Sequence, residues 1–208
     1  MKSIKLILGI AVVSMTLFSC KKGENDPFLS LSSRKARITG EWKMSAMEHT
    51  YSSANAGVSN GTTKITFDGT TKTTTFTNPA GIVSSGGTSI YSEELTFEKD
   101  GTFKHTSSST SNNETFTETG SGNWAFVGKS KNADLKKKEA IVLNYTSSTD
   151  SDGYNESVSG TFQIYTTILI DQLKNKEIVF KYDETGSNTN GGSTNTNSSK
   201  GSMTFVKK

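Results

Sequence analysis

Short runs that alternate apolar and polar residues, each closed by a turn signal, recur along this chain from Trp42 to Val206, and they constrain the fold more than any other feature. Trp42, Met44 and Ala46 alternate with Glu41, Lys43 and Ser45, the period of a strand with one buried and one wet face. Ile65 and Phe67 precede Asp68-Gly69, a hairpin dipeptide, and residues 71–77 return as the partner. Leu95 and Phe97 face one way, Lys99-Asp100-Gly101 turns the chain, and Phe103 with His105 continues on the far side. Further strands are expected over 115–118, 123–127, 140–146, 158–170, 177–182 and 202–206. Thr, Ser, Gly and aromatic residues dominate and there are only two prolines, which is a β-sheet vocabulary. The exception is 28–38, where Phe28, Leu31, Ala36 and Ile38 share a stripe on a short helix opened by Asp26-Pro27.

Strands joined by short reversals, with no crossover helices, make an antiparallel up-and-down sheet the economical topology. An open sheet of about eight to ten strands would expose two edges and an apolar face, whereas a barrel removes the edges and buries one side of every strand. A transmembrane barrel needs longer strands with a continuous lipid-facing apolar band, and polar residues dominate most segments here. Two polar stretches interrupt the pattern. Residues 106–113 read either as a long hairpin tip or as solvated strand extensions, and 185–200, rich in Ser, Thr, Asn and Gly, read as a mobile loop.

The N-terminus has a separate logic. Lys2 and Lys5 precede an apolar run over 6–18 of the length of an export signal, too short to span a bilayer. That run ends in Leu17-Phe18-Ser19-Cys20, which resembles the bacterial lipobox, with a branched apolar residue three places before the cysteine and a small residue just before it. The resemblance implies cleavage before Cys20 and acylation of its sulfur and new amino terminus. Several acyl chains, at about 0.8 kcal/mol per buried methylene, anchor a protein to the membrane far more firmly than one. Lys21 differs from the aspartate that holds many lipoproteins at the inner membrane, so the same resemblance favours the outer membrane, on its periplasmic or cell-surface face. The expected organisation is a signal peptide over 1–19, a lipidated polar tether over 20–27 and a barrel domain over 28–208. Cys20 is the sole cysteine, so no disulfide forms within the chain and the domain rests on its core.

Charge excludes one class of partner. Without Lys2 and Lys5 the chain keeps 21 basic against 20 acidic side chains, no footprint for nucleic acid. Lys129, Lys131, Lys136, Lys137 and Lys138 are interrupted by Asp134 and followed by Glu139, with no aromatic residue among them for base stacking.

At Gly40-Glu41-Trp42, after a short helix, the chain resembles the lipocalin opening, in which glycine permits a close bend into the barrel and the indole plugs its narrow end. Lipobox, tether, helix, Gly-X-Trp, the hairpin from Phe97 to Phe103, Gly122-Asn123-Trp124 and the hairpin from Tyr165 to Tyr182 together resemble the lipocalin-like lipoproteins of Bacteroidetes. Two marks of the standard lipocalins are absent, a Thr-Asp-Tyr turn and a late arginine, since none follows Arg37. The fold expected is therefore all-β, a lipocalin-like up-and-down barrel with a short N-terminal helix.

Trp42, Met44, Phe67, Phe97, Phe103, Trp124, Leu143, Ile164, Phe180 and Phe205 stand on the alternate positions expected to line the interior or a ligand. A barrel of this size is either filled by such side chains or holds one small ligand, and the sequence leaves both open. Catalytic constellations are thin. His49 and His105 are the only histidines, Glu93 and Glu94 cannot share a strand face, and no Gly-X-Ser-X-Gly elbow occurs. Asp150-Ser151-Asp152-Gly153 resembles part of a calcium loop, but its spacing places Ser148 and Ser159 at ligand positions and reads as a polar turn. No Cys/His cluster suits zinc and no glycine loop suits phosphate, so no cofactor is expected. The expectation is a non-enzymatic, lipid-anchored module that binds a small, mostly apolar ligand. The alternative is a structural module with a filled core that contacts an envelope protein or a glycan.

Overall fold

The computed structural model describes residues 33–55, 57–127, 139–151, 155–157, 164–190 and 193–208. The expected signal, Cys20 and the tether lie outside the described residues, as does the cluster Lys129 to Lys138. The described part begins with a short helix, α1 (Arg34–Ile38), and continues as strands β1 (Gly40–Asn55), β2 (Val58–Phe67), β3 (Thr71–Thr77), β4 (Val83–Phe97), β5 (Thr102–Ser111) and β6 (Glu114–Val127). Then come β7 (Glu139–Asp150), β8 (Asn155–Ser157), β9 (Ile164–Leu173), β10 (Glu177–Asn190) and β11 (Ser193–Lys207). No helix among the described residues is long and apolar enough to cross a membrane.

The protein is all-β, and ten of its strands close an antiparallel up-and-down barrel, with the short β8 paired, among the described residues, to β7 alone. β11 pairs β1 along nearly its whole length, which joins the last strand to the first and closes the ring.

The ring changes size along its axis. At the end that carries α1, β1 pairs directly with β4, from Gly40↔Phe97 to Lys43↔Glu94, so β1, β4, β5, β6, β7, β9, β10 and β11 close it. Beyond a bulge between Met44 and Ala46, β1 turns to β2 from Met47↔Phe67 onward, while β4 turns to β3 below Ile90↔Thr71. The β2–β3 hairpin is thus a wedge that opens an eight-strand ring to ten. Its tip is fastened at the fork. Asp68 Oδ1 accepts from the Thr70 and Thr71 amides at 3.0 and 2.8 Å, and the Thr70 carbonyl accepts from the Tyr91 amide at 2.9 Å. These backbone bonds to the carboxylate hold the Asp68 pKa below its ordinary value.

The narrow end is packed solid. Trp42, Met44, Phe97, Phe103, Ile141, Ile170, Leu173, Ile178, Phe180 and Phe205 are essentially inaccessible, and Phe180–Phe205 and Phe97–Trp124 meet edge to face at 5.7 and 5.4 Å. α1 plugs this end with the fully buried Ile38, and Arg37 Nη1 donates to the Leu173 carbonyl.

Several elements differ from expectation. Of residues 185–200, expected as a mobile loop, 185–190 and 193–200 are paired strand: β10 and β11 keep register from Thr185↔Ser198 to Asn190↔Ser193. Both faces there are polar, so no apolar alternation announces a strand, yet ladder pairing satisfies the backbone equally well. Residues 106–113 are strand extensions closed by Asn112-Asn113, whose φ of 52° and 65° make the two-residue turn that matches strand twist. The segments expected over 115–118 and 123–127 are one strand, β6, because Gly120 and Gly122 interrupt the apolar pattern without interrupting pairing. α1 is capped by Ser33, whose Oγ accepts from the Ala36 amide at 3.1 Å; the expected start at Asp26-Pro27 lies outside the described residues.

Candidate functional site

Above the packed floor, at the level where the ring widens, the inward face changes chemistry. On β4 the parity that points Phe97 and Leu95 into the core brings Glu93 and Tyr91 to the same face. On β5 it brings His105 above Phe103, on β7 Tyr145 above Leu143, and on β10 Tyr182 above Phe180. Lys72 joins them from β3, and His49 from β1.

Glu93 is the hub. Tyr91 Oη donates to its Oε2 at 2.6 Å, and its Oε1 lies 3.6 Å from His105 Nε2, with both the histidine and glutamate side chains more than four-fifths buried. The Lys72 ammonium sits 4.1 Å above the centre of the Tyr91 ring, a cation–π contact, and feels the Glu93 charge. Around this hub Tyr91 meets Phe67 edge-on at 5.5 Å and Tyr145 meets Phe103 at 4.9 Å. Tyr182 Oη donates to Met203 Sδ at 3.3 Å, and His49 Nε2 lies 2.8 Å from Ser199 Oγ. Gly120 makes room for the Tyr145 ring: a Cβ there would stand 2.7 Å from Cε1.

One level further out, strand register lines up Glu93, Ser107, Glu118 and Asp150 across β4, β5, β6 and β7. A cavity of about 480 Å³ opens at the rim next to this row, lined by Ser109, Ser111, Glu114, Phe116 and Ser151 among others.

The phenols report how dry and how negative the mouth is. Burial first, then Glu93, raises Tyr145 to about 12 and pushes Tyr91 and Tyr182 well above the ordinary phenol range. Burial lowers the Lys72 pKa, and Glu93 opposes that shift. A phenol with a raised folded-state pKa gives up its proton less readily folded than unfolded. The stability it lends is therefore whole below about pH 10 and falls as the pH rises towards about 12. An alkaline titration of phenolate absorbance should show these tyrosines ionising late in the native protein and at the ordinary position in denaturant. Coincident curves would mean that the three rings are not held as described.

Of the residues expected inside, Trp42, Met44, Phe67, Phe97, Phe103, Trp124, Leu143, Phe180 and Phe205 are buried in one cluster. Ile164 pairs with Tyr145 in the backbone, and its side chain lies outside the described residues. Most of these residues form the floor beneath the mouth and not its wall. Lys72, Tyr91, Glu118, Tyr145 and Tyr182 were not singled out from the sequence, although continuing the parity of Leu95, Phe103 and Phe180 outward reaches four positions of the wall. Among the described residues no group of three or more His, Cys, Asp or Glu is arranged to hold a metal ion.

No protein-family model, curated protein or solved structure matches the chain.

Proposed function

We propose that this chain is a lipid-anchored, non-enzymatic protein of the bacterial outer membrane whose barrel mouth binds a small ligand with a mostly apolar body. The observation that carries this reading is the division of the interior. A solid aromatic floor closes one end, and partly exposed aromatic and polar side chains line the other, the usual composition of a small-molecule site. The anchor reading rests on Leu17-Phe18-Ser19-Cys20. Ser33, which caps α1, stands at the closed end thirteen residues after Cys20, and a chain of that length spans at most ~45 Å. An anchored barrel would turn its floor to the membrane and its mouth away.

A second reading, favoured by the exposed Val58, Ile82, Val83 and Phe116 on the hairpins around the mouth, is an interaction module that contacts an envelope protein or a glycan. One experiment separates the two. The full chain, isolated from its own membrane, is titrated with the neutral apolar fluorophore N-phenyl-1-naphthylamine, beside a Cys20→Ala variant followed by palmitate labelling. Saturable one-to-one binding and labelling lost in the variant are expected. No saturable binding would leave the interaction module, and undiminished labelling would remove the anchor.

A further inference from the structure

We propose that the mouth is selective for an organic ammonium, a protonated amine carried on an apolar body, seated among Tyr91, Tyr145 and Tyr182 with Glu93 and Glu118 as its countercharges. This deepens the ligand-binding reading and rests on it.

Three independent observations converge on a cation. First, the protein already places one there: the Lys72 ammonium lies 4.1 Å above the ring of Tyr91, whose hydroxyl is bonded to Glu93, so ring face and carboxylate are arranged as an ammonium seat. Lys72 reaches that seat from one side, from β3. Second, charge is unbalanced on the other side. The inward faces of β4, β5 and β6 bring Glu93 and Glu118 to one level, and among the described residues those faces carry no lysine or arginine. Glu118 stands across Ser107 from Glu93, and its charge adds to the field that raises the Tyr91 and Tyr145 phenols. An anion entering here would meet like charge in a partly dry site, whereas a cation would relieve it. Third, His105 Nδ1 is buried and has no hydrogen-bond partner among the described residues. In the tautomer that carries its proton on Nε2, 3.6 Å from Glu93 Oε1, Nδ1 is an acceptor and matches an N–H donor from the ligand. That acceptor favours an amine with N–H groups over a quaternary ammonium. The apolar body finds Phe67, Met47 and Met203 at the floor. Lys72, as the resident cation, would compete with the ligand for Glu93.

The test uses the full chain in zwitterionic lipid nanodiscs at neutral pH, with empty nanodiscs subtracted. Calorimetric titrations compare phenethylammonium, phenylacetate and 2-phenylethanol, which share an aromatic body and differ in charge. The ammonium is expected to bind at least about tenfold more tightly than either of the others. Glu93→Gln and Glu118→Gln should each remove that preference, and Lys72→Gln should tighten ammonium binding several-fold. Equal binding of ammonium and alcohol, or tighter binding of phenylacetate, overturns the inference and leaves an apolar site. If N-phenyl-1-naphthylamine also fails to bind, the ligand-binding reading itself falls. Should the glutamate variants fail to fold, the three-ligand comparison on the unmodified chain, with Lys72→Gln, decides the matter.

Discussion

Trp42→Ala is expected to lower the stability of the barrel by about 3–5 kcal/mol, the range for deleting a fully buried large aromatic side chain. The site leaves little scope for relaxation, because Trp42 pairs with Leu95 on β4 and with Lys207 on β11, where the first strand closes the ring on both sides. Its Nε1–H donates to the Ile38 carbonyl at 2.7 Å, and Ile38 is the last residue of α1. A helix of five residues has no stability of its own, so α1 stays docked through Ile38, Arg37 and this indole. The Lys207 ammonium caps the ring at 5.2 Å from its centre while donating to the Thr39 carbonyl at 2.8 Å. Removal of the indole therefore empties the floor and releases the helix together. Domains are stable by about 5–15 kcal/mol, so the loss is a large fraction of the total. Trp42→Phe separates the two contributions: it keeps most of the apolar area and loses the hydrogen bond, worth about 1 kcal/mol. Urea unfolding of the three proteins, with amide exchange read on residues 34–39, checks both. A Trp42→Ala midpoint equal to that of the parent would mean that the indole does not hold the closed end.

What the sequence discloses and what it conceals follow from the same rule. Where one strand face is apolar, as at Trp42 and Met44 or at Leu95 and Phe97, alternation identifies strand and facing together. The floor is legible for that reason. The outer halves of β10 and β11 carry Ser, Thr and Asn on both faces, so alternation vanishes although pairing continues to Asn190↔Ser193. The wall of the mouth is concealed more subtly. Tyr91, Glu93, His105 and Glu118 keep the parity of the core below them, but a glutamate or histidine on that face reads as solvent-facing until neighbouring strands surround it. Glu93 and Glu94 do part to opposite faces as strand geometry requires, Glu93 to Tyr91 and His105, and Glu94 to the Lys208 ammonium at 2.6 Å. The wedge was beyond reach in a different way. That β1 pairs first with β4 and then with β2 depends on non-local register, which no local pattern encodes. That fork converts an eight-strand ring into a wider ten-strand one above the floor.

Gly122→Ala is expected to cost about 3 kcal/mol, more than a single methyl group usually costs, because the obstacle is backbone. Gly122 sits beside the bulge after Ser121, paired with Phe103 on one side and Tyr145 on the other. A Cβ at this position would land on the Asn144 carbonyl oxygen, 2.8 Å from its carbon and 2.9 Å from Phe103 Cε1. β7 crosses β6 so closely here that no rotamer can relieve the contact. The two strands must part, and they are the pair that supports Trp124 against Leu143 in the floor and Tyr145 in the wall. Gly186→Ala on β10 is the control, since a Cβ there meets nothing within 4 Å and should change stability by no more than about 0.5 kcal/mol. Gly120→Ala falls between them: its Cβ would clash with the edge of the Tyr145 ring, while the Ser147 carbonyl stands at an ordinary 3.6 Å, so the ring can swing aside at lower cost. That displacement would carry Tyr145 away from Phe103 and out of its dry site, and its ionisation should move down from about 12 towards the ordinary phenol value. Parallel urea midpoints and phenolate titrations on the three variants thus distinguish strand separation from ring displacement. A Gly122→Ala protein as stable as the Gly186→Ala control would show that β6 and β7 do not approach as closely as the ring requires.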